Sequence, residues 1–249
     1  MAKKKATNDI SQILIFPFQD QQWVKKITIA SVLVFISFIP ILPIVLLLGY
    51  MAEIIRRIAV DKESPSLPEW DDLGIFFQDG FRLFGAGLIY MIPPTLLMIA
   101  GYAGMFIPLI IMETGVVGQG QGFLMMIAGY VAGFGLMGIG ALISMVTGVV
   151  LPVAGAHAAV KRDFSAALKF GEIGDILKAN WSGFLVAFLI LIGGSVVLYY
   201  ASYFLIATVI LCCLYPFVIC VVVAYLAVVG AALFGEAYRD GLMNLTAEK

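Results

Sequence analysis

Charge is what this chain has least of. Only 12% of its 249 residues are Asp, Glu, Lys or Arg, while 62% are hydrophobic, and an average globular domain carries about twice that charged share. Such a composition cannot cover a soluble surface, so the class is an all-α polytopic membrane protein. Histidine is reduced to His157, and a lone histidine cannot assemble a metal centre; polar packing against a neighbouring helix is its expected role. The three cysteines, Cys212, Cys213 and Cys220, share one apolar run and have no thiol elsewhere, so they read as small packing hydrophobes. P-loop, HExxH, GxSxG and CxxC patterns are missing. Gly174-Asp175 lies in an amphipathic segment, outside the GxGD setting of intramembrane aspartyl proteases. These absences point away from an enzyme, and neither cofactor, metal nor nucleic acid is expected.

What is present is long apolar sequence, in blocks at Ile27 to Ile55, Leu83 to Met112, Phe123 to Ala159 and Phe184 to Gly235. A spanning helix needs roughly 20 residues, so the first three blocks suit one helix each, and the 52-residue fourth needs two. A break in the fourth is expected near 200 to 208, beside Tyr199, Tyr200 and Tyr203, with Tyr215-Pro216 as the competing position. The basic N-terminus lacks a small-residue cleavage site, so the first block is expected to stay in the mature protein.

The net charge of −1 matters less than where the charges fall. Lys3, Lys4, Lys5, Lys25 and Lys26 precede the first block. Arg56, Arg57, Lys62 and Arg82 lie between the first and second, and Lys161, Arg162, Lys169 and Lys178 between the third and fourth. Arg239 and Lys249 complete the 15. The connection ETGVVGQGQG (113 to 122) and the tyrosine-rich break have none. By the positive-inside rule the charged loops and the C-terminus are cytoplasmic, and the protein is expected in the cell membrane. A single first helix would strand five lysines outside. Pro40 and Pro43 can instead split that block into two short arms of a re-entrant hairpin, with one kinked helix as the alternative. The count taken forward is five full spans plus the hairpin.

Two segments repeat at an offset of 100: DLGIFFQDGF at Asp72 to Phe81 and EIGDILKANW at Glu172 to Trp181. At 100° per residue Leu73, Phe76, Phe77, Gly80 and Phe84 share one face and Asp72, Gln78, Asp79 and Arg82 the other. Each copy reads as an amphipathic elbow helix in the cytoplasmic interface that then turns into a span. IFPFQDQQW, Ile15 to Trp23, is a weaker third relative. The units are 10 to 57, 71 to 162 and 171 to 240, within one membrane domain over 1 to 249.

The motif GYxxExxR at Gly49, Tyr50, Glu53 and Arg56, LPEWDD at Leu67 to Asp72, and DGF at Asp79 to Phe81 stand close together in sequence. They resemble the signature of an uncharacterised prokaryotic family of polytopic membrane proteins, known only as a domain of unknown function. The resemblance implies membrane class and topology and carries no activity.

The candidate interface and loop residues are Glu53, Arg56, Arg57, Pro68, Glu69, Trp70, Asp71, Asp72, Asp79, Arg162 and Trp181. Glu53 stands at i, i+3 and i, i+4 from the two arginines, as local ion pairs require. Glu236 and Arg239 have the first of these spacings. Trp70 is an interface anchor, Asp71 or Asp72 a helix cap, and Glu69, Asp71 and Asp72 are expected to pair with Arg56, Arg57, Lys161 and Arg162. Gly129, Gly133, Gly138 and Gly140 let helix backbones approach. Pro93-Pro94 is a kink. No carboxylate falls near the middle of any block, which argues against ion-coupled transport. The expected function is a non-enzymatic membrane scaffold or accessory protein contacting lipid, and a protein partner or a second copy of itself. A transporter or channel-like protein for a neutral or hydrophobic solute is the alternative.

Overall fold

The computed structural model describes all residues except 1, 39–40, 62–63, 209–211 and 248–249, and the side chains of 2–9, 38, 205–207 and 212 are likewise undescribed. The sequence expectations for Pro40, Lys62, Lys249 and the side chains of Lys3, Lys4 and Lys5 therefore lie outside the described residues. Among those described, regular structure is entirely helical: α1 (Ala2–Gln19), α2 (Trp23–Phe35), α3 (Leu42–Arg56), α4 (Leu73–Glu113), α5 (Gln119–Lys161), α6 (Phe170–Ala179), α7 (Trp181–Ala207) and α8 (Tyr215–Ala247).

Four of these, α4, α5, α7 and α8, are long and apolar enough to cross a membrane. Five were expected. The first apolar block supplies no fifth, because it is split into α2 with 13 residues and α3 with 15. A short 3-10 turn at Ile36–Phe38 ends the first arm. Ile41, at φ 81°, is a β-branched residue in the left-handed region, and Pro43 lies in the first turn of α3, where its missing N–H costs nothing. The fourth block breaks between Ala207 and Tyr215, so both positions anticipated for the break border the actual interruption.

The chain forms two compact units, one from Met1–Ala86 with Pro152–Lys249 and one from Gly87–Leu151. In the first, α8 is the axis. It packs against α1, α2, α3, α6 and α7, and its inner stretch is built from small residues: Ala224, Gly230, Ala231, Ala232, Gly235 and Ala237 are all buried. Gly235 meets the Ile55 backbone of α3 and Gly241 the Ile176 carbonyl of α6. Small side chains at these crossings let helix axes approach closely. The second unit is the hairpin of α4 and α5 over Gly87–Leu151. There Gly104 and Gly129 meet backbone to backbone, as do Gly101 and Gly133, and Gly140 lies against the Pro94 carbonyl and Met98. Gly138 has no neighbour within 4 Å, so it is not part of that crossing.

The two repeat copies part company at their ninth positions. Asn180, with φ −139° and ψ 45°, leaves helical geometry, ends α6 and caps α7 by accepting a hydrogen bond from the Gly183 N–H at 3.3 Å. Its counterpart at the offset of 100 is Gly80, which stays helical, so DLGIFFQDGF is simply the first turns of α4 and not a separate elbow. The reason is contact: a Cβ at Gly80 would overlap the Val45 carbonyl of α3, so only glycine brings α4 that close. One assignment of the expected faces is corrected: Asp79, placed on the polar face, is buried, while Leu73 and Phe77 are exposed.

Candidate functional site

The motif residues scattered from Gly49 to Phe81 converge on one place in the first unit. The crossing of α3 and α4 starts it: Gly49 lies against the Phe76 carbonyl, and Gly80 against that of Val45, each without room for a Cβ. The residue after Gly49, Tyr50, is fully buried. Its ring stacks on Trp70 at a centroid distance of 4.1 Å and an interplanar angle of 3°, and Phe76 meets both rings edge-on at 5.7 and 5.6 Å. These are the offset and T-shaped arrangements that aromatic quadrupoles favour. The Tyr50 hydroxyl donates to the Pro68 carbonyl at 3.1 Å, and the Trp70 indole donates to the Lys26 carbonyl at 3.2 Å. The 67–70 strap is thus fastened to α2 and α3 together.

Two ionic clusters flank the aromatic one. Lys26, 4% exposed, donates to Asp20 at 2.8 Å and to the Leu67 carbonyl at 3.0 Å, and pairs with Glu69 at 2.6 Å. Burial alone would raise the Asp20 carboxyl. The Lys26 ammonium and the Gln22 N–H more than offset it and hold that carboxyl below its usual range. On the other side, Asp79, 3% exposed, accepts from Arg56 of α3 at 2.8 Å and from Arg82 at 2.5 Å. Arg56 also pairs with Glu53, which accepts from Arg57 at 3.0 Å. The local Glu53 pairs expected from spacing are present.

The loop acids are placed differently from expectation. Glu69 pairs with Lys26, and the acid that reaches Arg56 from across the chain is Asp79. Asp71 and Asp72 are exposed and make no ion pair with a described residue. Asp72 lies just ahead of α4, where a carboxylate complements the helix dipole. Arg162 is exposed at the end of α5 with φ 50°. The Asp163 N–H reaches back to the Ala158 carbonyl at 3.3 Å, so Arg162 occupies the left-handed position that closes a helix and usually falls to glycine. Trp181 opens α7, half exposed, as Trp23 opens α2.

A further polar junction joins α5, α6 and α8. The Nε2 of buried His157 stands 3.0 Å from Glu172, and its Nδ1 2.7 Å from the Tyr238 hydroxyl. An ionised carboxylate only accepts, so Nε2 carries the hydrogen and Nδ1 of the neutral ring accepts from Tyr238. Lys161 and Lys169 converge on the same carboxylate at 2.8 and 3.1 Å, and hydrogen bonds from these two hold it down to about 2. Arg239 pairs with Asp240 at 3.3 Å.

Lys26, Asp20, Glu172 and Tyr238 were not singled out by the sequence. Lys26 read only as one of five N-terminal lysines; its place directly before the apolar run, three residues past Trp23, was the available signal. For Glu172 the signal was Lys169 at i−3.

A family model matches residues 32–207. The chain belongs to that family, described as a protein of unknown function (DUF4013). No curated protein matches the chain, and no solved structure does. The family region takes in the aromatic cluster and the Arg56–Asp79 pair. Lys26 and Asp20, which fasten the strap from the other side, and Tyr238 lie beyond it.

Proposed function

We propose that this protein is a non-enzymatic membrane scaffold or accessory protein, with a charged inner face that contacts lipid headgroups and a protein partner. The observation that carries this is the closure of its buried polar groups on one another. Asp79, Arg56 and Glu53 form one chain, and Lys26, Asp20 and Glu69 another. Among the described residues no buried side-chain nitrogen or oxygen lacks a partner. Groups committed to joining helices are suited to fixing a shape, whereas a coupled transporter needs ionisable groups that can change partners at membrane depth.

In this reading α4, α5, α7 and α8 cross the membrane and α2 with α3 is a re-entrant pair. Thirteen and 15 residues reach only about 20 and 23 Å at 1.5 Å per residue, short of a core of about 30 Å. Four crossings, with a hairpin that returns to its own side, put every basic residue on the inner face. A fifth crossing, made by the first block, would strand the N-terminal lysines on the outer side.

Reconstitution into liposomes tests the function. Solute flux that disappears in Pro93→Ala or Gly133→Leu would overturn the scaffold reading in favour of a path through the kinked, glycine-crossed hairpin. Its absence, together with a protein that co-purifies and is lost on neutralising Glu69, Asp71 and Asp72, is the expected result.

A further inference from the structure

The connection between α5 and α6 holds an anion of the chain's own. Lys161 ends α5, the chain turns through Arg162 and a 3-10 turn at Phe164–Leu168, and Lys169 stands directly ahead of α6. Asp163 fixes this turn by accepting from the Ser165 N–H at 3.0 Å, and Ala166 and Ala167 of the turn are buried. The two lysines are thereby brought to one carboxylate, that of Glu172 in the first turn of α6. Its Oε2 takes the Lys161 ammonium at 2.8 Å and the His157 Nε2–H at 3.0 Å, and its Oε1 takes Lys169 at 3.1 Å. Three donors aimed at two oxygens make a cradle for an anion. One wall of it is fixed, because His157 is 2% exposed and its other ring nitrogen is held by Tyr238 of α8.

Glu172 is a loose occupant of that cradle. Its side chain and those of both lysines are nearly half exposed, and ion pairs so open to water contribute little to stability. One carboxylate cannot neutralise two ammonium groups, and exposed Arg162 beside them makes no ion pair with a described residue. A phosphate diester spreads one negative charge over two unesterified oxygens, the two-point pattern of a carboxylate, and it can receive the same lysine and imidazole donors. The surroundings decide which phosphate. The α6 helix buries Ile173 and Ile176 and leaves Phe170 at its start and Trp181 just past its end exposed. Aromatic rings so placed suit the headgroup layer, where lysines meet an anionic leaflet. We propose that Lys161, Lys169 and His157 form a seat for the phosphate of an anionic phospholipid, and that Glu172 is its internal competitor, released to water when the headgroup binds. This seat rests on the reading of the inner face as one that contacts headgroups, and it needs no protein partner.

Native mass spectrometry of the full-length protein in a neutral detergent measures it, with equimolar phosphatidylglycerol and phosphatidylcholine, whose own ammonium neutralises its phosphate. The parent is expected to retain the glycerol lipid about tenfold over the choline lipid, which is about 1.4 kcal/mol. Glu172→Ala, which removes the competitor, should raise that ratio further. Lys161→Gln with Lys169→Gln should abolish the preference. Lys25→Gln with Lys178→Gln, the same change of charge outside the cradle, should leave it at the parent value. Thermal unfolding checks that each variant is folded, and if the first double variant is not, Lys169→Gln alone replaces it, with a partial loss expected. No preference in the parent, an equal loss in the two double variants, or a Glu172→Ala protein that binds no better overturns the assignment. Displacement of the lipid by inorganic phosphate at equal concentration would make the occupant a free phosphate and overturn the lipid part of it. None of these outcomes alters whether a protein co-purifies, so failure of the seat and failure of the scaffold reading are told apart.

Discussion

Asp79 shows how a polar residue can be more deeply structural than the leucines around it. It is 3% exposed and holds Arg56 at 2.8 Å, and removing one partner of a buried ion pair leaves the other charge uncompensated, at a cost of about 3–5 kcal/mol. Asp79→Asn should therefore lower the thermal midpoint sharply in detergent, while Asp71→Asn, on an exposed residue, should stay within about 0.5 kcal/mol of the parent. Equal effects from the two would remove Asp79 from the lock. Glu172 gives the pH counterpart. Its folded carboxyl is held to about 2 from an ordinary 4.5 by Lys161 and Lys169, so the folded chain binds that proton less readily than the unfolded one. Its stabilising effect is whole above pH 4.5 and is lost as pH falls toward 2. Over that interval the parent's midpoint should fall more steeply than that of Glu172→Gln, and parallel curves would rule out the contribution.

At the scale of elements, the glycines separate into those that set a crossing and those that do not. Gly49→Ala and Gly80→Ala each drive a methyl into a carbonyl of the facing helix, and overpacking of that kind costs about 1–3 kcal/mol. Gly138→Ala adds a methyl to open space and should be close to neutral or slightly stabilising, since alanine is the better helix former. A tryptophan-fluorescence melt of the three variants distinguishes them, and a destabilised Gly138→Ala would place a neighbour there after all. The sequence made most of the long helices legible, because period and length alone specify a run such as 83 to 112. It also drew attention to the stretch from Gly49 to Phe81 without revealing which of its residues meet in space. Helical spacing reports pairs within one helix, as at Glu53 and Arg56, but a contact such as Lys26 with Glu69 depends on the hairpin folding back over the strap. The same limit hid the difference between Gly80 and Asn180. As letters in two repeat copies they look interchangeable, yet one fits beneath the Val45 carbonyl and the other breaks the chain and caps α7.

For the whole molecule, the first hairpin decides the topology, and topology decides which face a partner or a headgroup meets. If α2 and α3 return to the side they left, the N-terminal segment and the strap before α4 share that side, and the α4–α5 connection around Val116, 83% exposed, is opposite. Replacing Cys212, Cys213 and Cys220 with alanine clears the background, and single cysteines at Lys5, Ser64 and Val116 can then be labelled in intact cells with a membrane-impermeant maleimide. The re-entrant arrangement expects Val116→Cys to react from outside, and Lys5→Cys and Ser64→Cys to react only after the cells are opened. If Lys5→Cys reacted from outside while Ser64→Cys did not, the first block would cross the membrane despite its break. The crossings would then number five, the N-terminal lysines would face outward against the positive-inside rule, and the charged face would lose its N-terminal third. The lock at Tyr50, Trp70 and Lys26 would persist in either case, because its contacts bind α2, α3 and the strap to each other. Only its place relative to the lipid would change, and the labelling pattern reads that place.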